Sequence, residues 1–295
     1  MPTLTATPSP HRRVARLQLA GSAVCFGLMA VLARKLTLPG MGFTAGHLAV
    51  MRFAVGALLS LVVFRLRPGL YRPSNYRLLI MRGISGGAVV VLYFDALAHI
   101  PAGEAGILYS LFPVMAVVLS LVLIKERPTL PLLLAVLLAS LGVGLVLGQG
   151  HGRFTLGRGE LAALAAALFA AISANAIRAV RQTDNAATIF FFFCLAGLPI
   201  VLPFALSPWP LGLLPWSLGL TMCLLAYGGQ MLMAEAYGSL SVSEAAVWLQ
   251  LLPISQYLLA VPLLGERATL SGLVGVLVTV TAVVYGTVWG QRRTP

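Results

Sequence analysis

The chain has 295 residues, of which 59% belong to the AVILMFWYC set and only 9% are charged, and its mean hydropathy is +0.94. A water-soluble domain carries roughly 25% charged residues to solvate its surface, so this composition excludes a soluble globular protein and requires lipid as the solvent. The net charge of +12 lies in short loops between apolar runs, which reads as a topology signal and anionic-lipid contact and not as nucleic-acid binding.

Residues 1–16 are rich in Pro, Thr and Arg and are expected to form a disordered cytoplasmic N-terminus. Arg12-Arg13 ahead of an apolar run has the look of an export signal. No small-x-small cleavage site follows, so the run from Leu17 is expected to be kept as a first span. A span needs about 20 largely apolar residues. Ten such runs follow one another: 17–35, 44–64, 78–98, 104–124, 129–148, 159–177, 186–206, 216–237, 244–264 and 269–290. Most links are short enough to make neighbouring helices antiparallel partners. The link 149–158, rich in Gly and Arg, divides the chain into halves at 17–148 and 159–290, and 291–295 is a cytoplasmic tail.

The two halves repeat. Shifted by 140 residues, Glu104 falls on Glu244, Pro113 on Pro253, Glu126-Arg127 on Glu266-Arg267 and Thr129 on Thr269, with Asp95 opposite Glu235. Apolar residues match cheaply, but charges and prolines in register do not. Five spans per half is an odd number, so the second copy enters the membrane from the opposite side. With the N-terminus in the cytoplasm, the inner loops collect most of the basic residues, Arg16, Arg82 and Arg178 among them. Only Arg34, Lys35, Arg153, Arg158 and Arg267 are left outside. This bias places both termini in the cytoplasm. Inverted repeats are a hallmark of secondary transporters, whose sites lie near the midplane between the repeats.

Candidate functional residues are few. Glu104 and Glu244 open their helices, where a carboxylate stabilises the orphan N–H groups; the competing reading is proton coupling. Asp95 and Glu235 sit in the last turns of spans three and eight, either paired with hairpin donors or facing a vestibule. Glu126 and Arg127 read as a local pair that starts the next helix, with Thr129 and Thr269 as caps. Arg52 lies inside an apolar run, where it snorkels outward, pairs with an acid or contacts an anionic substrate group. Pro113 and Pro253, at equivalent mid-span positions, each remove a backbone hydrogen bond, as a gating or site-forming device or as a fixed kink.

Helical spacing adds lining candidates. Tyr227, Gln230, Ala234 and Tyr237 share a face; so do Gln250, Pro253 and Tyr257; and so do Gly86, Val90, Tyr93 and Leu97. Tyr109 lies one turn before Pro113. Smaller matched faces carry Ser22 and Phe26, and Phe169 and Ser173. The four phenylalanines at 190–193 cover every side of one turn and read as lipid-facing bulk. Cys25, Cys194 and Cys223 are isolated and read as small apolar residues. No metal spacing, cofactor motif, ATP site or enzyme motif is expected to operate.

These features resemble the EamA type of the drug/metabolite transporter superfamily: ten spans in two five-helix halves, and a mid-helix proline followed by an apolar run that ends in Glu126-Arg127. The pattern returns at Gly265-Glu266-Arg267. The resemblance covers both halves. It implies an all-α bacterial inner-membrane carrier with two inverted five-helix repeats and a central cavity built from spans three, four, eight and nine. Tyr93, Tyr109, Pro113, Gln230, Gln250 and Pro253 are then its lining candidates. Proteins of this kind export amino acids and related metabolites, and others carry riboflavin, S-adenosylmethionine or metallophores. The expected partners are a small-molecule substrate, the lipid bilayer and a proton or other gradient. An importer of a vitamin-like or nucleoside-type metabolite is the alternative. A membrane-embedded lipid-modifying enzyme or a non-transporting scaffold is the reading from another class. The lining read from sequence lacks a dense ring of fixed charge, which argues against highly charged sugar nucleotides or phosphates.

Overall fold

The computed structural model of the chain describes residues 10–100, 102–126, 128–147, 157–265 and 269–289. Among these there is no strand. The helices are α1 (Pro10–Thr37), α2 (Ala45–Leu66), α3 (Tyr76–His99), α4 (Ala102–Tyr109), α5 (Phe112–Leu123) and α6 (Leu130–Leu147) in the first half. The second half holds α7 (Arg158–Val180), α8 (Ala186–Val201), α9 (Leu213–Ala236), α10 (Val242–Leu249), α11 (Leu251–Leu264) and α12 (Leu270–Trp289). Eight described stretches have the length and apolarity to cross a membrane, with α10 and α11 counted as one run, Val242–Leu264. α5 and α6 are apolar but shorter.

Local chemistry sets the helix ends. Thr44 opens α2 with a reciprocal capping box: its hydroxyl accepts from the His47 amide at 3.2 Å, and His47 Nδ1 accepts from the Thr44 amide at 3.2 Å. Asn75, Asn185 and Ser241 accept from the amides of Leu78, Thr188 and Glu244 and so cap α3, α8 and α10. Thr269 caps α12, as its sequence position predicts, by accepting from the Gly272 amide. α11 stops at Gly265, whose φ of 71° is left-handed backbone suited to glycine.

The repeated prolines break their helices. Proline has no N–H for the carbonyl four residues back, and its ring crowds that carbonyl. For Pro113 that carbonyl belongs to Tyr109, where α4 ends before α5 begins at Phe112; for Pro253 it belongs to Leu249, the last residue of α10. Between the segments the chain tightens to three-residue hydrogen bonds, Leu111 N–H to Leu108 O and Gln250 N–H to Val247 O, each 3.3 Å.

The N-terminus departs from expectation. α1 starts at Pro10, so residues 10–16 are helical and not disordered. Arg12 and Arg16 both reach Glu244 at the start of α10, which gives this turn a partner that the composition of residues 1–16 does not reveal.

The packing exchanges equivalent helices between halves. α3 lies along α7 as α1 lies along α9; α5 packs on α7 as α11 packs on α1; α2 meets α8, and α6 meets α12. Apolar burial drives little association inside lipid, so close packing of small residues takes over. α7 is slim on its inner sides, with Ala163, Ala166, Ala167, Ala170, Ala171 and Ala174 buried. At the α6–α12 seam, a Cβ on Gly142 would lie 2.8 Å from the Thr279 amide nitrogen and 2.9 Å from the Gly275 carbonyl oxygen. These neighbours are backbone and cannot swing away. Gly142→Leu is therefore expected to split this seam at a cost of about 1–3 kcal/mol or more, read as a lower unfolding temperature of the purified protein. Unchanged stability would mean that the seam is looser than its geometry.

Candidate functional site

The two breaks border a central cavity of about 90 Å³. Its wall draws on both halves: Phe26, Met29 and Ala30 from α1, Arg52 from α2, Arg82, Gly86, Val90, Tyr93 and Phe94 from α3, and Tyr109 and Phe112 from either side of the first break. Ala170, Ser173 and Ile177 from α7, Phe193 from α8, Gln230, Met233 and Tyr237 at the end of α9, and Leu249 and Leu252 around the second break add to it. The wall is mostly apolar, and seven of its residues are aromatic. The Tyr93 and Tyr109 rings lie 4.5 Å apart, and Phe112 follows at 5.0 Å from Tyr109. Tyr93 donates its hydroxyl proton to Gln256 Oε1 at 3.2 Å, which fixes the ring against α11.

Two arginines supply the charge. Arg52 is 7% exposed and Arg82 is 3% exposed. The Arg82 guanidinium stacks over the Phe193 ring at 4.2 Å, and its Nη2 donates to Gln230 Oε1 at 3.0 Å. Arg52 lies 5.8 Å from the centre of the Phe26 ring. Nε of Arg52, Nε of Arg82 and Oγ of Ser173 are buried without a hydrogen-bond partner among the described residues. The described lining contains no Asp or Glu.

This corrects two expectations and narrows a third. Arg52 neither snorkels outward nor pairs with an acid among the described residues; it faces the cavity, which leaves the reading of contact with an anionic substrate group. Arg82 is not an inner-loop topology charge, because α3 begins at Tyr76 and carries it nearly two turns into the bundle. Its signal was present in the sequence: Arg82, Gly86, Val90 and Tyr93 fall on one helical face. Gly86 is the residue that makes room, since a Cβ there would run into Arg82 Nη1 and the Phe193 ring. The run at 190–193 is not lipid-facing bulk, as Phe190, Phe192 and Phe193 are buried, with Phe53 and Arg82 taking up the Phe193 ring.

Of the other lining candidates, Tyr93, Tyr109 and Gln230 reach the cavity, as do Phe26, Gly86, Val90, Ser173 and Tyr237 from the matched faces, whereas Pro113, Pro253, Gln250, Tyr257 and Tyr227 do not. Pro113 and Pro253 are buried behind the breaks that they create. Gln250 donates from Nε2 to Ser140 Oγ at 2.6 Å. Tyr257 accepts the Thr269 N–H at 3.0 Å. Tyr227 packs edge-on to Phe190 at 5.1 Å.

The acids lie nearer the helix ends. Asp95 receives Arg158 at 2.9 Å and sits 3.5 Å from His99; Glu235 receives Arg181 at 3.0 Å. Glu244 is held by Arg16 at 2.7 Å and Arg12 at 3.0 Å. The side chain of Glu104 lies outside the described residues, as do Arg127, Glu266 and Arg267. Glu126 does more than start a helix: it accepts from Arg178 Nε at 2.7 Å and from the Val242 amide at 3.0 Å, joining α5 to α7 and α10. Arg178 also donates to the Tyr237 carbonyl at 3.0 Å, and Arg34, 144 residues earlier at the end of α1, donates to the Leu97 carbonyl at 2.8 Å. Leu97 and Tyr237 are themselves 140 residues apart.

A many-helix apolar bundle whose walls enclose an aromatic and cationic cavity is a multi-pass membrane protein with a small-molecule compartment. The EamA-like transporter family model matches residues 14–148 and matches again over 157–287, and the chain belongs to that family. It is 26% identical over 205 residues to the pseudopaline exporter CntI of Pseudomonas aeruginosa strain UCBPP-PA14, across 69% of this chain and 72% of that protein. It is likewise 26% identical over 212 residues to the same exporter of strain PAO1, with the same coverage. A solved crystal structure superposes with a TM-score of 0.78 at 22% identity, covering 94% of this chain and 98% of the other, which supports the fold.

Proposed function

We propose that this transporter is a secondary carrier that exports a small polar or amphipathic metabolite, amino-acid-derived and of the metallophore kind, by alternating access. The observation that carries the reading is the cavity itself, walled by both halves and bordered by both helix breaks. Substrate sites of secondary carriers lie at such repeat interfaces, beside discontinuous helices. The exchange of equivalent helix contacts between 17–148 and 159–290 supports two inverted five-helix repeats, with α4–α5 and α10–α11 each acting as one span. Ten crossings with both termini in the cytoplasm of a bacterial inner membrane follow from that arrangement and from the charge bias. Export is favoured by the relatives that carry that name.

At about 90 Å³ the cavity is small beside the ~300–1,000 Å³ of sites that enclose a drug-sized ligand. Loading a metabolite therefore requires the halves to part at one end. At the end where α1 begins, parting breaks Arg16–Glu244 and Arg178–Glu126; at the other it breaks Arg158–Asp95. A proton or other gradient drives the cycle. A membrane-embedded enzyme would instead need His, Asp or Ser clustered at one depth, whereas this cavity presents arginine, amide and aromatic groups.

Purified protein reconstituted in liposomes and offered a panel of amino acids, N-substituted amino acids and metallophores, with and without a proton gradient, is expected to move at least one of them in a saturable manner. A panel that stays on one side under every gradient would rule the carrier reading out for these solutes.

A further inference from the structure

We propose that the cavity recognises a solute bearing two separate carboxylates, one held by Arg52 and one by Arg82. This rests on the carrier reading and narrows it to a substrate class. Two guanidiniums inside a low-polarity bundle are costly unless paired, yet neither has a carboxylate partner among the described residues. Each is instead steadied by weaker contacts: Arg82 by the Phe193 ring and the Gln230 oxygen, Arg52 by the Phe26 ring. Those contacts orient a guanidinium without neutralising it, and each arginine keeps a buried Nε with no acceptor among the described residues. A guanidinium fork pairs best with a planar carboxylate, through two parallel hydrogen bonds.

The two cations share one cavity, so a single negative charge leaves a surplus positive charge behind. They rise from different helices, α2 and α3, on which they enter from opposite ends of the bundle. Two carboxylates on one backbone answer both arginines, each with a planar fork. The rings of Tyr93, Tyr109 and Phe112 then flank the linking chain, and the Ser173 hydroxyl, without a partner among the described residues, offers it a hydrogen bond. The result also revises the expectation of a weakly charged lining.

The test is thermal stabilisation of the purified full-length protein by linear dicarboxylates from succinate to suberate and by N-(carboxyalkyl) amino acids. Matched monocarboxylates and inorganic phosphate serve as controls. At least one dicarboxylate is expected to raise the unfolding temperature. Arg52→Gln and Arg82→Gln are each expected to weaken it about tenfold or more, and Arg52→Lys and Arg82→Lys less. The lysine variants also report on folding, because a site that merely collapses loses binding in both series. The proposal is overturned if no dicarboxylate stabilises the protein, if matched monocarboxylates or phosphate do so equally, or if binding survives both glutamine variants. Such a failure is distinct from failure of the carrier reading, which the liposome panel decides with solutes that include zwitterionic amino acids with a single carboxylate.

Discussion

Glu244→Ala is expected to be among the most destabilising single changes in this protein, at about 3–5 kcal/mol, because it leaves a buried arginine without its counter-charge. Arg16 gives both Nε and Nη2 to Glu244 Oε1, at 3.0 and 2.7 Å, while Arg12 takes Oε2 at 3.0 Å. The Arg16 and Glu244 side chains are 8% and 5% exposed, so water cannot take over the lost contacts. Arg12 is far more open, and its share is correspondingly small. Removing both partners tells the pair apart from its parts: Arg16→Met with Glu244→Leu leaves no stranded charge and is expected to recover most of the loss. Denaturation of the four proteins in one detergent measures the coupling. Additive effects of the two single changes would mean that the pair does not interact as its geometry implies.

Gly27→Leu is expected to reduce transport to below a tenth of the parent rate at equal incorporation, with a stability loss of about 1–3 kcal/mol or more from overpacking. The glycine lies where α1 crosses α11. A Cβ there would collide with the Ser255 hydroxyl and sit 2.8 Å from the Gln256 amide nitrogen and 3.0 Å from the Ser255 carbonyl carbon. Ser255 cannot rotate away freely, because its hydroxyl donates to Ala23 O at 2.7 Å and to Leu252 O at 2.8 Å, tying the two helices together. Pushing α11 outward would carry Leu252 out of the cavity wall and Gln256 away from Tyr93. Parent-like transport by this variant would show that the α1–α11 contact is not part of the cavity frame.

Much of the candidate site was legible before the structure. Tyr93, Tyr109, Gln230 and Arg52 stood out because polar and aromatic groups at mid-span are costly in lipid, and all four line the cavity. Gln250, Tyr227 and Tyr257 carried the same signal and point elsewhere. A helix at the centre of a bundle touches protein on most sides, so spacing groups residues on a face without saying which neighbour that face meets. Gln250 donates its amide nitrogen to Ser140, a residue 110 positions away, and nothing near it in the chain announces that partner.

What the sequence determined by itself is what short-range chemistry controls. Composition dictated lipid as the solvent, apolar run length dictated the helices, hydroxyl and amide caps dictated several of their starts, and the missing N–H of Pro113 and Pro253 dictated where two of them break. Tertiary structure decided the partners of the charges. Arg82 reads as a flanking charge until Asn75 caps α3 ahead of it and Gly86 and Phe193 make its berth. Glu126 reads as a local helix starter until Arg178 and the Val242 amide arrive from the other half. The reason is physical: a cap or a proline acts on groups one turn away, whereas a buried charge is placed by whichever residues the fold brings around it.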